Sequence, residues 1–174
     1  DPASQDQLVA LWADLSASLK KWPNDFLAYE ILNEAVADNH EDWNQLLAKA
    51  IPALRELEPH RPIVVGSNRW QSASTFPSLR LPEDDRNLIL SFHFYSPFFF
   101  THHQASWSRQ LRDYDGPINY PGLVVTDEEL AAIPEGDFKK ALRDARGPHD
   151  KETLRQAMYP AIEYAKLHRL PLYC

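Results

Sequence analysis

Residues 26–36, FLAYEILNEAV, are the stretch from which the fold is interpreted. The stretch begins as an apolar run, which predicts a buried strand over residues 26–33. It then reaches Asn33 and Glu34, an amide and a carboxylate placed where the chain should leave the core. Binding and catalytic side chains concentrate where a rigid scaffold gives way to a loop. The sequence therefore predicts a functional site at this strand end.

The bulk composition is that of a folded globular chain. The 174 residues are 44% hydrophobic and 25% charged, which predicts a single domain over residues 1–174 with its own core. The formal net charge is −7 without any block of Lys or Arg, which argues against nucleic acid as a partner. No apolar run approaches the roughly 20 residues of a membrane helix. The one cysteine, Cys174, excludes an intrachain disulfide, and no signal peptide is visible.

Strands and helices are predicted to alternate along the chain. Apolar runs predict strands at residues 26–33, 62–67 and 87–94, and the terminal LPLYC looks like the start of a fourth. Apolar spacings of three and four predict helices at residues 4–21, from the polar residues 38–42 to Leu57, briefly at 72–79, and at 151–168. Pro52 should kink or break the second of these helices. Residues 96–147 are interpreted as a long loop with two short helical candidates, TDEELAAI and GDFKKALRDA.

The alternation favours an α/β fold with a parallel sheet. Five glycines are spread thinly and form neither GxGxxG nor GxxxxGK, which removes the usual signature of a nucleotide-binding doubly wound sheet. A piece of a (β/α)-barrel fits better, and in such barrels the active site lies at the C-terminal ends of the strands. The first three predicted strands end in polar or aromatic groups, namely Asn33-Glu34, Ser67-Asn68-Arg69-Trp70 and His93-Phe94-Tyr95.

These motifs resemble glycoside hydrolase family 5, the cellulase family with a TIM-barrel fold. YEILNEA resembles the family's fourth strand, which ends in Asn-Glu, and IVVGSNRW is similar to its fifth. LILSFHFYSPFFFTHHQASW resembles the sixth, with its His-x-Tyr motif, and RLPLYC looks like the seventh. The resemblance implies a partial (β/α)8 TIM barrel, about half of the barrel (strands four to seven), with a long loop after strand six. It covers most of the chain, from the third helix to the seventh strand.

The resemblance also implies a retaining glycoside hydrolase that cleaves β-1,4-glucan by double displacement, as an endoglucanase. Retaining cleavage uses an acid/base carboxyl and a nucleophilic carboxyl roughly 5–5.5 Å apart. Glu34 matches the family's acid/base, and Asn33 matches its contact to a sugar hydroxyl. The nucleophilic Glu would lie beyond Cys174, and strands one to three and eight are missing, so the fragment is expected to be inactive alone. The alternatives to these roles are structural: Glu34 could be a carboxylate at the start of a helix, and Asn33 could be a residue that forms a turn.

Further site residues come from the next two strand ends. His93 and Tyr95 are two apart on a predicted strand, so their side chains should point the same way. By resemblance His93 contacts sugar and Tyr95 hydrogen-bonds the nucleophile, although both could be satisfied core residues. Trp70 is a candidate sugar platform, with packing against a loop as the alternative. Glu30, four residues before Glu34, is interpreted as a structural carboxylate that needs a hydrogen-bonding or cationic partner.

No cofactor and no metal are expected. His102 and His103 are adjacent rather than on one face, and neither HxH nor HExxH occurs. The expected partner is a β-glucan oligosaccharide or polysaccharide, with β-mannan as the alternative substrate, and the family implies a secreted or periplasmic location. A second class of function stays open, because four parallel strands outside a closed barrel leave two unpaired edges. The chain could then be a non-catalytic half-barrel that self-associates or binds glycans.

Overall fold

The computed structural model describes residues 1–109 and 111–174, and within them the strands form one parallel sheet. The strands are β1 (Tyr29–Glu30), β2 (Ile63–Gly66), β3 (Leu88–Ser91) and β4 (Leu172–Tyr173). Their order in the sheet follows their order in the chain, β1-β2-β3-β4, and each neighbouring pair is parallel. The predicted α/β fold with a parallel sheet is confirmed.

The strands are shorter than predicted, and β1 differs most. The strand predicted over residues 26–33 contains only Tyr29–Glu30. After Glu30 the Ile31 carbonyl accepts a hydrogen bond from the Trp12 indole, at 3.0 Å, instead of extending the ladder to β2. Asn33 and Glu34 consequently lie in a turn, three and four residues past the strand, rather than on the strand itself.

Three long helices accompany the strands. They are α1 (Pro2–Leu19), α2 (His40–Leu57) and α8 (Lys151–His168). Pro52 does not break α2, because the helix continues to Leu57, and the alternative of a kink stays a prediction. The buried residues Leu47, Ile51 and Leu54 hold the helix against the core on both sides of the proline. None of the described helices has the length and apolar character needed to span a membrane.

The shorter helices fall after β2 and after β3. A single helical turn, α3 (Asn68–Gln71), and a 3₁₀-helix (Ala73–Ser78) follow β2. The segment after β3 contains α4 (Phe98–Thr101), α5 (Arg109–Arg112), α6 (Asp127–Ala132) and α7 (Asp137–Asp144). Helices α6 and α7 confirm the two candidates in the region interpreted as a long loop, whereas α4 and α5 were not predicted.

The chain divides into two compact units. The first comprises residues 1–93 and 158–174 and contains the whole sheet, and the second comprises residues 94–157. The second unit has an apolar cluster of its own, formed by Phe99, Leu111, Val124, Val125, Leu130 and Leu142. Residues 96–147 are therefore more ordered than the predicted loop, because short apolar segments pack on each other there. The single domain over residues 1–174 stays a prediction.

A buried charged cluster lies where the chain enters β1. Arg61 is 1% exposed and pairs with Glu58, with 2.6 Å between Nη2 and Oε2. Glu58 Oε1 accepts hydrogen bonds from the Tyr29 hydroxyl (2.6 Å) and the Ser16 hydroxyl (2.8 Å). The Arg61 guanidinium also donates to the main-chain carbonyls of Trp22, Pro23 and Leu27. The cluster ties α1 and the end of α2 to the start of the sheet.

Glu58 makes the stability of the fold depend on acid pH. Burial acts to raise the pKa of Glu58, but hydrogen bonds from Tyr29, Ser16 and Arg61 outweigh it and hold the pKa below its ordinary value of 4.5. A carboxyl whose pKa falls on folding stabilises the native state above its unfolded pKa, and this stabilisation is lost as the pH drops through the folded value. We therefore expect the urea midpoint to fall between about pH 5 and pH 3. The urea midpoint of the Glu58→Gln variant should fall less over this pH range. If it falls as much as in the wild type, Glu58 is not the group responsible.

Candidate active site

Four of the predicted site residues lie in the first unit, just past the C-terminal ends of three strands. Asn33 and Glu34 follow β1, Trp70 follows β2 and His93 follows β3. Because the strands are parallel, their C-terminal ends share one edge of the sheet. The polar residues predicted from three separate segments therefore fall on the same side of the fold.

Glu34 and His93 are in direct contact. Glu34 Oε1 lies 2.6 Å from His93 Nδ1, although the residues are 59 positions apart in the chain. Their side chains are 34% and 23% exposed, respectively, so both are partly buried and still reachable. The contact requires a proton on one of the two atoms. This arrangement can hold a carboxyl group in a fixed direction and leave it accessible to a ligand.

The loop that carries Glu34 is held by the short turn α3. The Asn68 side chain accepts from the Ala37 amide (2.8 Å) and donates to the Ala37 carbonyl (3.1 Å). The Trp70 amide donates to the Ala35 carbonyl (3.2 Å). The Arg69 guanidinium donates to the Asp38 carbonyl (2.9 Å). Residues 34–39 are therefore fixed by hydrogen bonds rather than by strand pairing.

Gln71 completes these contacts, and the sequence analysis did not identify it. Its Oε1 accepts from the Glu34 amide (2.7 Å), and its Nε2 donates to Glu30 Oε1 (3.2 Å). Its carbonyl accepts from the His93 amide (3.0 Å). Glu30 thus has the hydrogen-bonding partner expected for it. The only sign of Gln71 in the sequence is its place at the end of SNRWQ, directly after Trp70, where a polar residue follows the strand end.

Asn33 and Trp70 are both exposed in this structure. Asn33 lies on the surface of the turn, and Trp70 is 56% exposed. Trp70 also has a positive φ of 59°, which sends the chain into a left-handed turn. An exposed indole face is what a sugar platform requires, and an exposed amide can reach a hydroxyl group. The roles of both residues stay predictions.

Tyr95 belongs to the second unit, which begins at Phe94. Its carbonyl accepts from the Thr101 hydroxyl (2.7 Å), its ring centroid lies 5.0 Å from that of His102, and it is 52% exposed. The strand predicted over residues 87–94 ends at Ser91, so strand alternation does not set the relative directions of His93 and Tyr95. The prediction that the strand reaches residue 94 is wrong, and the role of Tyr95 stays a prediction.

Within the described residues, no group of three or more His, Cys, Asp or Glu side chains is arranged to hold a metal ion. The chemistry available at the strand ends is that of the Glu34 carboxyl, the His93 imidazole and neighbouring amides. These groups can exchange a proton and hydrogen-bond hydroxyl groups. Such a set suits a neutral polyhydroxylated ligand.

A parallel α/β sheet with a carboxyl group at its C-terminal edge is the arrangement used by barrel glycosidases. Residues 1–173 match the family model "Cellulase (glycosyl hydrolase family 5)". The chain therefore belongs to glycosyl hydrolase family 5.

Similar proteins include endoglucanases from bacteria. The chain is 34% identical over 177 residues to Endoglucanase C of Acetivibrio thermocellus, covering all of this chain and 50% of that protein. It is 25% identical to Endoglucanase 3 of Fibrobacter succinogenes, covering 99% of this chain and 27% of that protein. Residues 1–174 thus span half or less of the length of these two relatives.

Two solved endoglucanase structures have a similar fold. The fold is similar to that of an endoglucanase with a TM-score of 0.70 and 25% identity, covering 99% of this chain and 47% of that one. It is also similar to a hyperthermophilic endo-β-1,4-glucanase in complex with substrate, with a TM-score of 0.61 and 25% identity, covering 99% of this chain and 59% of that one.

Proposed function

We propose that these residues form part of a retaining endoglucanase that hydrolyses β-1,4-glucan, with Glu34 as the general acid/base. The observation that carries the proposal is the 2.6 Å contact between Glu34 and His93 at the C-terminal edge of the sheet. Membership of a cellulase family supports the reaction class. The relatives are named endoglucanases, and one similar structure is that of an endo-β-1,4-glucanase, which supports β-1,4-glucan as the substrate class.

Glu34 acts twice in the proposed mechanism. It first gives a proton to the glycosidic oxygen as the bond breaks, and it then takes a proton from the water that releases the sugar. Oε1 is engaged by His93, so the other oxygen, Oε2, is the atom we assign to the substrate. Asn33 binds a hydroxyl group of the same sugar, and His93 contacts sugar while it orients the carboxyl.

The second carboxyl group is proposed to lie beyond Cys174. The four strands are interpreted as strands four to seven of a (β/α)8 barrel, and β4 is then the strand that the nucleophilic Glu follows. Relatives of about twice this length support that interpretation. General acid catalysis contributes about 10²–10⁴-fold and does not replace a nucleophile. Residues 1–174 alone are therefore proposed to be inactive.

The stereochemistry of the first product tests this function. The full-length enzyme that contains these residues is incubated with cellohexaose, and anomeric proton signals are recorded by NMR before mutarotation. Double displacement predicts that the β-anomer forms first, because each of its two steps inverts the anomeric carbon. Initial formation of the α-anomer, or no cleavage of the glucan, would contradict the proposal. A parallel assay on β-mannan compares the alternative substrate.

Trp70 is expected to bind sugar without taking part in bond cleavage. In the full-length enzyme, Trp70→Ala should raise KM for cellopentaose by about 3–10-fold, the range expected for losing one aromatic contact. It should leave kcat within about 2-fold, because stacking on a remote sugar acts equally on the ground state and the transition state.

Trp22→Ala provides the matched control for the Trp70 variant. Trp22 is also exposed, at 45%, but it lies before β1, at the other end of the strand. This variant should change neither constant. An unchanged KM in Trp70→Ala would favour the alternative that Trp70 only packs against its own loop.

Self-association is the second candidate function. β1 and β4 are edge strands of the described sheet, and the exposed apolar residues Phe26, Leu32 and Val36 flank β1. Unpaired edges favour pairing with another chain. Sedimentation of residues 1–174 tests this function, since a well-folded dimer that binds cello-oligosaccharides would favour a self-associating binding module. A monomer would count against it.

Secretion of the protein stays a prediction.

A further inference from the structure

Gln71 connects the two residues of the proposed acid/base pair. Its side chain accepts a hydrogen bond from the main-chain amide of Glu34, and its main-chain carbonyl accepts one from the amide of His93. Gln71 is 1% exposed, so it does not reach a ligand in solvent. One buried residue thus fixes the backbone on both sides of the 2.6 Å contact between Glu34 and His93.

The neighbouring sequence is built around this side chain. A Cβ atom added at Gly66 would lie 2.1 Å from Gln71 Cγ and 2.6 Å from its Cδ, so only glycine leaves room for the glutamine. Arg69, Trp70 and Gln71 have φ values of 60°, 59° and 55°. Positive φ is unfavourable for residues other than glycine and persists only where surrounding contacts enforce it. The strained turn places the Gln71 side chain beneath Glu34.

Glu30 decides which way the Gln71 amide faces. A carboxylate only accepts hydrogen bonds, so the group 3.2 Å from Glu30 Oε1 must be the amide NH₂. The amide oxygen then faces the Glu34 N–H, where an acceptor is needed. Glu34 itself has a positive φ of 52°, and this hydrogen bond helps to hold that conformation.

We infer that Gln71, oriented by Glu30, is a positioning residue that sets the direction of the Glu34 carboxyl for proton transfer. The inference rests on the proposed acid/base role of Glu34. Gln71 does not contact the substrate, and it acts through the backbone of Glu34 and His93. Its contribution should therefore appear only in steps that need proton transfer.

The test compares two substrates in the full-length enzyme. Gln71→Leu keeps much of the side-chain volume and removes both side-chain hydrogen bonds. We expect kcat for cellohexaose to fall about 10–100-fold, as for a catalytic group displaced by about 1 Å. KM should stay within about 3-fold. Release of dinitrophenolate from dinitrophenyl β-cellobioside, followed in the pre-steady state, should fall less than about 3-fold, because that leaving group needs no proton.

Asn44→Leu is the matched control. Asn44 is a buried amide that also makes two hydrogen bonds, from its NH₂ to the Ser78 carbonyl and from the Arg80 amide to its oxygen. It lies on α2, and neither of these two hydrogen bonds involves Glu34. A general loss of stability should affect both substrates equally in this variant. The same equal loss in Gln71→Leu, or no loss on cellohexaose, would overturn the inference.

A double variant restores the hydrogen bonds with the groups exchanged. In Glu30→Gln/Gln71→Glu, an amide at position 30 donates to a carboxylate at position 71, which still accepts from the Glu34 amide. The total charge is unchanged, and we expect recovery to within about 5-fold of the wild-type kcat on cellohexaose, while each single variant is slower. This cycle decides the question even if Gln71→Leu does not fold. A double variant no faster than the two single variants would overturn the inference.

The outcome separates this inference from the function on which it rests. If Glu34→Gln does not distinguish the two substrates, the proposed function fails. If Glu34→Gln distinguishes them and Gln71→Leu does not, the function stands and the positioning role of Gln71 fails.

Discussion

Replacing Glu34 by glutamine in the full-length enzyme is expected to lower kcat/KM for cellohexaose by about 10²–10⁴-fold, the usual contribution of a general acid. The amide cannot protonate the leaving oxygen, although it has nearly the shape of the carboxyl. The 2.6 Å contact with His93 can be kept as a hydrogen bond, so the fold should not change. Steady-state kinetics and a melting curve on the same sample measure both effects.

Two comparisons make the Glu34 result specific. Dinitrophenyl β-cellobioside should still give a rapid burst of dinitrophenolate with the variant, because its first step needs no acid. Glu56→Gln is the control, since Glu56 is an exposed carboxylate on α2. It should leave both substrates unaffected. Near wild-type turnover of cellohexaose by Glu34→Gln would exclude Glu34 as the acid/base.

The largest effect on stability is expected at Arg61. Replacing it by methionine should lower the free energy of unfolding by about 3–5 kcal/mol, because a buried carboxylate then loses its cation. Glu58 would keep only the hydrogen bonds from Tyr29 and Ser16. The main-chain carbonyls that Arg61 serves would also lose a buried donor. Urea unfolding followed by tryptophan fluorescence measures the change.

Lys49→Met is the matched control for Arg61. Lys49 pairs with Asp6 at 2.7 Å, but the two side chains are 39% and 67% exposed. Removing an exposed ion pair should cost less than about 1 kcal/mol. If the two variants lost similar amounts, the buried cluster would not be the main tie between α1, α2 and β1.

The order of helices and strands could be predicted because the spacing of apolar residues is visible within short stretches of the sequence. Helix α8 has the predicted bounds, and the start of β4 was also predicted. The strand predicted over residues 26–33 was too long because an apolar residue can be buried without pairing to a neighbouring strand. Ile31 is 2% exposed yet lies outside β1. Helices α4 and α5 in residues 96–147 were not predicted because each has only four residues, too few to repeat an apolar spacing of three or four.

The site was predicted only in part, for a physical reason. Glu34 and His93 were found separately, since polar residues after apolar runs are visible in a sequence. Their contact depends on the turn α3, whose left-handed residues carry no glycine to signal positive φ. The role of Gln71 was not predicted because it comes from three tertiary hydrogen bonds. A single chain does not reveal which distant groups such an amide will meet.

Azide trapping with Glu34→Ala tests the acid/base assignment most directly. In the full-length variant, we expect dinitrophenyl β-cellobioside to form the glycosyl-enzyme without an acid, and the missing base should then slow attack by water. Azide needs no base and fits the space left by the carboxyl. We expect azide to accelerate turnover and to give β-cellobiosyl azide, with retained configuration. Turnover that does not respond to azide, or formation of the α-azide, would contradict the account.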